Sequence, residues 1–169
     1  WHDSTPPPVW WRHQQTSGGQ IVEQATHLFD LARYLVGEGT LEDAVGNINP
    51  RLAYPDSDIA DVSAALVKFP KGVPGVFSAT CELGNQVEVY VKFICEGTMI
   101  SVTQMNVVFE SSHQKIEKRV MNDPFLSEDL AFIDAINKND PGLLFSSYDD
   151  ALKTHSLCHD VLEKYWRKM

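Results

Sequence analysis

A chain of 169 residues with 43% hydrophobic and 22% charged side chains has room for one buried core and the composition of an ordinary soluble globular domain. Its formal net charge of -9 repels phosphate backbones, and the one basic cluster, Lys164, Arg167 and Lys168, lies where cations favour a helix C-terminus, so nucleic acid is excluded as a partner. No apolar run approaches the ~20 residues of a membrane span, which excludes a membrane role of that kind. Cys81, Cys95 and Cys158, odd in number and without metal-type spacing, read as free thiols of a reducing compartment. With no signal peptide visible, cytoplasmic is the default expectation. The chain opens on Trp1 rather than Met, which suggests a further segment upstream.

Trp1–Gly18, with Pro6, Pro7 and Pro8 in a row and the pair Trp10–Trp11, reads as an extended lead-in loop. Ser17 followed by Gln20 is a capping-box pattern that should open a helix from about Gly19 to Val36, stopped at Gly37 and Gly39. At 100° per residue Ile21, Ala25, Leu28, Ala32 and Leu35 form its apolar side, while Glu23, His27, Asp30 and Tyr34 stack along the other. From Leu41 to Arg119 the period moves towards 2, predicting strands at Leu41–Ile48, Ile59–Phe69, Gly75–Glu82, Gln86–Glu96, Thr98–Thr103, Asn106–Ser111 and Gln114–Arg119. Turns are expected at Lys71–Gly72, Gly84–Asn85 and Glu96–Gly97. Connections this short pair neighbouring strands antiparallel. Two helices close the chain: Phe125–Lys138, with Pro124 in its first turn, and Ser147–Lys168, which begins on the capping-type pair Ser147 and Asp150.

The result is an α+β chain in a single domain spanning 1–169, a mainly antiparallel, open-faced sheet with helices packed on one face. The other face, with Tyr90 and Ile94 on it, is too apolar for water and predicts a homo-oligomer formed through it.

The polar stripe could carry chemistry. Glu23 and His27 are one helical turn apart, with Asp30 following on the same side. An imidazole beside carboxylates can be oriented for general acid–base work near neutral pH; the same spacing also fits a solvated helix face. His155, Cys158 and His159 fall at i, i+3 and i+4 on the last helix. Without a further ligand cluster, and with Leu157 and Val161 among them, they read as part of a packed helix, and no metal is assigned. Trp10 and Trp11 could stack on a sugar face or anchor the loop in the core, and one of each is the reading adopted. Arg12 and His13 beside them are candidate contacts for a substrate.

The string Trp10-Trp11-Arg12-His13, then Ser17-Gly18-Gly19-Gln20 and a helix with Glu23, His27 and Asp30, resembles the signature of the glucose–fructose oxidoreductase, inositol dehydrogenase and MocA family (Gfo/Idh/MocA), in its C-terminal domain. Asp61–Leu66 running to Phe69 and Lys71-Gly72, Glu96-Gly97-Thr98, Phe132, Ile136 and Ser147–Leu152 continue the likeness. The resemblance implies an oxidoreductase that passes hydride between a sugar, cyclitol or similar polyol and NAD or NADP. Its cofactor would be held mainly by an N-terminal Rossmann domain outside this chain, so that this chain binds no cofactor and is inactive alone. His27 would then serve in proton transfer or hold the reacting hydroxyl, and Glu23 would bind substrate or orient the site. Trp10, Trp11, Arg12, His13 and Asp30 would line the substrate, although Asp30 matches a position whose role can equally be structural. Glu23 stands where the family usually has Asp, and Gln20 where a third glycine is frequent. No G-x-G-x-x-G fingerprint occurs in the chain. The competing reading is a non-catalytic ligand-binding or regulatory module on the same scaffold.

Overall fold

The computed structural model describes residues 8–49, 56–83 and 89–167, and these fall into two compact units. One holds the described residues before 84 together with those from Ala151 onward; the other holds 89–150. The expected α+β class is what the chain adopts, with the strands divided between two antiparallel sheets of three and four strands.

In the first unit, β1 (Thr40–Asn47), β2 (Val62–Lys68) and β3 (Pro74–Thr80) form a meander. Its register sets three inward rows of side chains: Leu41–Val67–Gly75, Ala44–Ala65–Phe77 and Gly46–Ser63–Ala79. Small residues dominate these rows, so helices can lie close. Two do. Residues 14–17 form a short helix α1 (Gln14–Ser17), and after two glycines with positive φ, Gly18 at 71° and Gly19 at 66°, a long helical run begins. It consists of a π-helical turn, Ile21–Ala25, and then α2 (Thr26–Val36). The second, α4 (Tyr148–Trp166), contributes Leu157, Cys158, Val161, Leu162 and Tyr165 to the same core. Phe29 of α2 stacks on Phe77 of β3 with ring centroids 4.0 Å apart. Each large apolar side chain buried here stabilises the unit by about 1.5–3 kcal/mol relative to exposure.

The π turn corrects the predicted helix phase. Its i→i+5 pairing makes the turn about one residue wider, so the buried stripe runs Ile21, Ala25, Phe29, Ala32 and Arg33. Leu28 is only half-buried and Leu35 lies exposed. The helix start differs as well. Ser17 closes α1 rather than capping the next helix. Its Oγ accepts from the Gly19 N–H at 2.9 Å and donates to the Trp11 carbonyl at 2.9 Å, which leaves Gln20 without the capping-box bond. Nor are the described residues of the lead-in extended: Val9–Arg12 forms a 3-10 turn that runs through His13 into α1.

In the second unit, β4 (Val91–Cys95), β5 (Thr98–Val102), β6 (Asn106–Ser111) and β7 (Lys115–Arg119) pair in sequence order, joined at Cys95↔Thr98 by the expected Glu96–Gly97 turn. The first part of the predicted Gln86–Glu96 strand and the Gly84–Asn85 turn lie outside the described residues. One face carries the apolar rung Phe93–Ile100–Phe109–Ile116 across all four strands. Ile94 is 90% exposed on the other face, but its rung continues through Met99 to Glu110 and Lys115. The charges of β6 and β7 therefore make that face mixed rather than apolar. Helix α3 (Pro124–Lys138) starts under Asp123, whose Oδ1 accepts from the N–H groups of Phe125 and Leu126 at 2.9 and 3.3 Å. The Ser147 cap of α4 is formed as expected, its Oγ accepting from the Asp150 N–H at 3.2 Å.

Gly46 shows how close the helix approaches the sheet. A Cβ placed there would stand 2.7 Å from a ring carbon of Tyr165, inside van der Waals contact. Gly46→Ala should therefore destabilise the chain by about 1–3 kcal/mol through overpacking. Chemical denaturation, with an unchanged slope against denaturant, measures it.

Candidate functional site

Both candidate catalytic residues ride on the helical run 19–36, on the side away from the core. Glu23 lies in the π turn and His27 in the first turn of α2; both are exposed. Neither makes a hydrogen bond or ion pair among the described residues, so the carboxylate does not hold the imidazole in this structure. The two groups stand on one side of a helix whose other side is immobilised. Their open donors and acceptors can meet a ligand hydroxyl, a contact that often tightens only when ligand is bound.

Asp30 behaves differently. Its Oδ1 accepts from the Thr154 hydroxyl of α4 and lies 3.6 Å from Arg33 NH1. Arg33 is 6% exposed. It donates through NH1 to Thr154 Oγ1, through Nε to Glu38 Oε2 at 3.0 Å and through NH2 to Glu38 Oε1 at 2.9 Å. Lys153 reaches Glu38 Oε1 at 3.3 Å from α4. Asp30 thus belongs to a clamp between α2 and α4, half-buried rather than laid open beside Glu23 and His27.

The aromatic segment also divides. Trp11 is 5% exposed and anchors the 3-10 turn, whereas Trp10 is 49% exposed. Arg12 turns to Asp56, with NH1 at 3.1 and 3.3 Å from the two carboxylate oxygens, and its carbonyl accepts from the Asp58 N–H at 3.0 Å. Asp58 Oδ1 in turn accepts from the Gln14 N–H at 2.6 Å. His13 is half-buried, with its carbonyl taken by the N–H groups of Thr16 and Ser17, each at 3.0 Å. Arg12 therefore locks the 56–58 loop to the start of α1. Of the sequence-named site residues, Trp10, Glu23 and His27 present exposed side chains, while Trp11, Arg12 and Asp30 are committed to the protein itself.

Sequence reasoning missed Arg33, Glu38, Thr154, Asp56 and Asp58. The Asp30–Arg33 spacing of i, i+3 was a local signal for one ion pair. Thr154 lies 121 residues from Arg33 and Asp56 lies 44 from Arg12, separations that periodicity does not reveal.

On the last helix His155 and His159 are exposed while Cys158 is fully buried. Burial pushes the Cys158 thiol up to about 11 despite a hydrogen bond with Thr26, which keeps it protonated at neutral pH. Among the described residues no group of three or more His, Cys, Asp or Glu is placed to hold a metal ion. Gly18-Gly19 follows a helical turn, not a strand, so this pair does not make the dinucleotide-binding loop of a βαβ unit. No helix among the described residues is long and apolar enough to cross a membrane.

The fold with this helix in place defines a class. Residues 1–101 match the GFO/IDH/MocA C-terminal domain, and the chain belongs to that family. An uncharacterised protein of Schizosaccharomyces pombe is 28% identical, over 91% of this chain and 44% of its own length. A second from the same yeast is 27% identical, over 88% and 45%. The chain therefore spans about half the length of the curated relatives it matches. Among solved structures, levoglucosan dehydrogenase in complex with NADH and levoglucosan shares the fold at TM-score 0.77 and 19% identity, covering 99% of this chain and 54% of that one. UDP-N-acetylglucosamine 3-dehydrogenase from Acidithiobacillus ferrooxidans does so at 0.74 and 17%, covering 87% and 47%.

The clamp between the helices responds to acid. The Arg33 hydrogen bond, joined by Lys153, holds the Glu38 carboxyl below its ordinary 4.5, against the opposing effect of burial. A depressed carboxylate contributes stability above pH 4.5 that is lost as pH falls through its folded value. Wild type should accordingly melt above Glu38→Gln at neutral pH, and the gap should narrow as the pH falls below 4.5 through the lowered folded value; calorimetry from neutral into acid checks it.

Proposed function

We propose that this chain is the substrate-binding and oligomerisation domain of an NAD(P)-dependent oxidoreductase acting on a sugar, a cyclitol or a similar polyol. The cofactor-binding Rossmann half belongs to a longer cytoplasmic protein, and this chain alone is inactive. The observation that carries the reading is that an imidazole and a carboxylate, His27 and Glu23, both stand exposed on one side of a helical run fixed from behind by Arg33 and Thr154. Family membership supports it, as does the shared fold with a dehydrogenase solved with NADH and its sugar.

In this reading Glu23 accepts hydrogen bonds from substrate hydroxyls. His27 takes the proton from the hydroxyl whose carbon is oxidised, and returns it in the reverse direction. Hydride acceptance belongs to the nicotinamide held outside this chain. Trp10 offers an exposed aromatic face for a sugar ring, and His13 lies three residues further along the same segment. Arg12 and Trp11 act from behind, shaping the segment. Asp30 serves the site from the clamp.

The test is nicotinamide reduction by the longer protein, across a panel of sugars and polyols with both cofactors. Turnover that falls about 10²–10⁴-fold in His27→Ala, with the circular dichroism spectrum unchanged, is the expected result. Equal turnover in the variant removes His27 from the chemistry. Silence across the panel with cofactor bound favours the regulatory module instead.

The open face of the three-stranded sheet carries Val45, Val62, Leu66 and Val76, the last 79% exposed. These apolar side chains share the face with Asn47, Lys68, Ser78 and Thr80, and in this reading another subunit covers them. Light scattering at micromolar concentration should give a mass above the monomer; a clean monomer withdraws the oligomer.

A further inference from the structure

Sequence spacing puts three metal-type side chains together on α4, and the fold separates them. Cys158 is fully buried in the core, whereas His155 and His159 both stand exposed. What remains outside is a pair of imidazoles at i and i+4 of one α-helix. Side chains so spaced are neighbours on one side of a helix, with Cβ atoms about 5–6 Å apart. Both rings can then turn to a single ion at about 2.0–2.1 Å. The backbone beneath them is held, because Leu157, Cys158, Val161 and Leu162 of the same turns are packed in the core. Neither histidine makes a hydrogen bond or ion pair among the described residues, so no internal bond has to break before a ring nitrogen meets a ligand. Asp160, also exposed, follows His159 directly, and a chain of net charge -9 draws cations to its surface.

We propose that His155 and His159 form a chelating site for one divalent transition cation of the imidazole-binding kind, Ni²⁺, Cu²⁺ or Zn²⁺, and not for the oxygen-seeking Mg²⁺ or Ca²⁺. One ring nitrogen of each imidazole is the donor. Two protein ligands are fewer than the four of a closed structural zinc site, so water fills the remaining positions and the ion exchanges with solvent. A bound ion joins two successive turns of α4, the helix whose Thr154 meets Arg33. It therefore stabilises the folded chain over the unfolded one, in which the two rings are not held one turn apart. The site goes beyond the oxidoreductase reading and does not depend on it.

Equilibrium dialysis of the untagged chain against NiCl₂ at neutral pH tests it. The wild type should bind a Ni²⁺ ion that His155→Asn and His159→Asn each weaken by at least about tenfold, because a single imidazole loses the chelate. His113→Asn, which removes an exposed histidine of the second unit, should leave that binding unchanged. A double variant, His159→Asp with Asp160→His, keeps the composition and the charge. It moves the second imidazole from i+4 to i+5, about 100° round the helix, and should bind as weakly as the single variants, with the circular dichroism spectrum unchanged. Wild-type affinity in the double variant, or in either single variant of α4, overturns the proposal and leaves only adventitious binding by scattered histidines. Melting gives a second reading. Ni²⁺ should raise the Tm of the wild type more than that of the three α4 variants, while MgCl₂ should move none of them; equal shifts with Ni²⁺ overturn the site as well. A polyol panel without turnover bears on neither measurement, so the oxidoreductase reading and this site fail separately.

Discussion

The burial of the Arg33 guanidinium is the constraint around which the helical layer of the first unit is arranged. Taking such a charge out of water costs several kcal/mol unless its donors are met. Here they are met from three elements: Asp30 on the same helix, Glu38 just beyond its end and Thr154 on α4. A planar fork can address such partners at once, which a lysine ammonium cannot do with the same directionality. Removing any one partner leaves the cation undersatisfied, so the four groups stand or fall together.

This arrangement explains why one helix can be rigid on one side and open on the other. The core behind α2 is set by Phe29 on Phe77 and by the alanines of both layers, and the clamp fixes rotation about the helix axis. The face bearing Glu23 and His27 is left without internal obligations among the described residues. Binding sites gain from side chains carried on a scaffold that does not move. The π turn belongs to the same logic, because its wider turn lets Phe29 and Arg33 both face inward while His27 stays outward.

Much of the architecture was legible in the sequence. Alternation placed β1 to β3 and β5 to β7 to within about three residues, β4 (Val91–Cys95) covers only the latter part of the expected Gln86–Glu96 run, and Ser147 announced the start of α4. The helix phase was not legible, because Leu28 and Phe29 are adjacent apolar residues and either satisfies the period; the choice depended on a π turn that pairing within the fold decides. The capping box at Ser17 failed for a comparable reason, since the Trp11 carbonyl, six residues back, competed for the hydroxyl. At the site, the residue types of Glu23 and His27 could be named in advance. The difference between Trp10 and Trp11, or between Asp30 and Glu23, rested on partners such as Thr154 and Asp56, brought in from distant parts of the chain.

The four-stranded sheet has two unlike borders. β7 reads Lys115-Ile116-Glu117-Lys118-Arg119 and every one of these residues is exposed, a border of alternating charge that resists the docking of another strand. β4, Val91-Lys92-Phe93-Ile94-Cys95, carries a single charge. Among the described residues, then, β7 carries the charged protection against strand addition that β4 lacks.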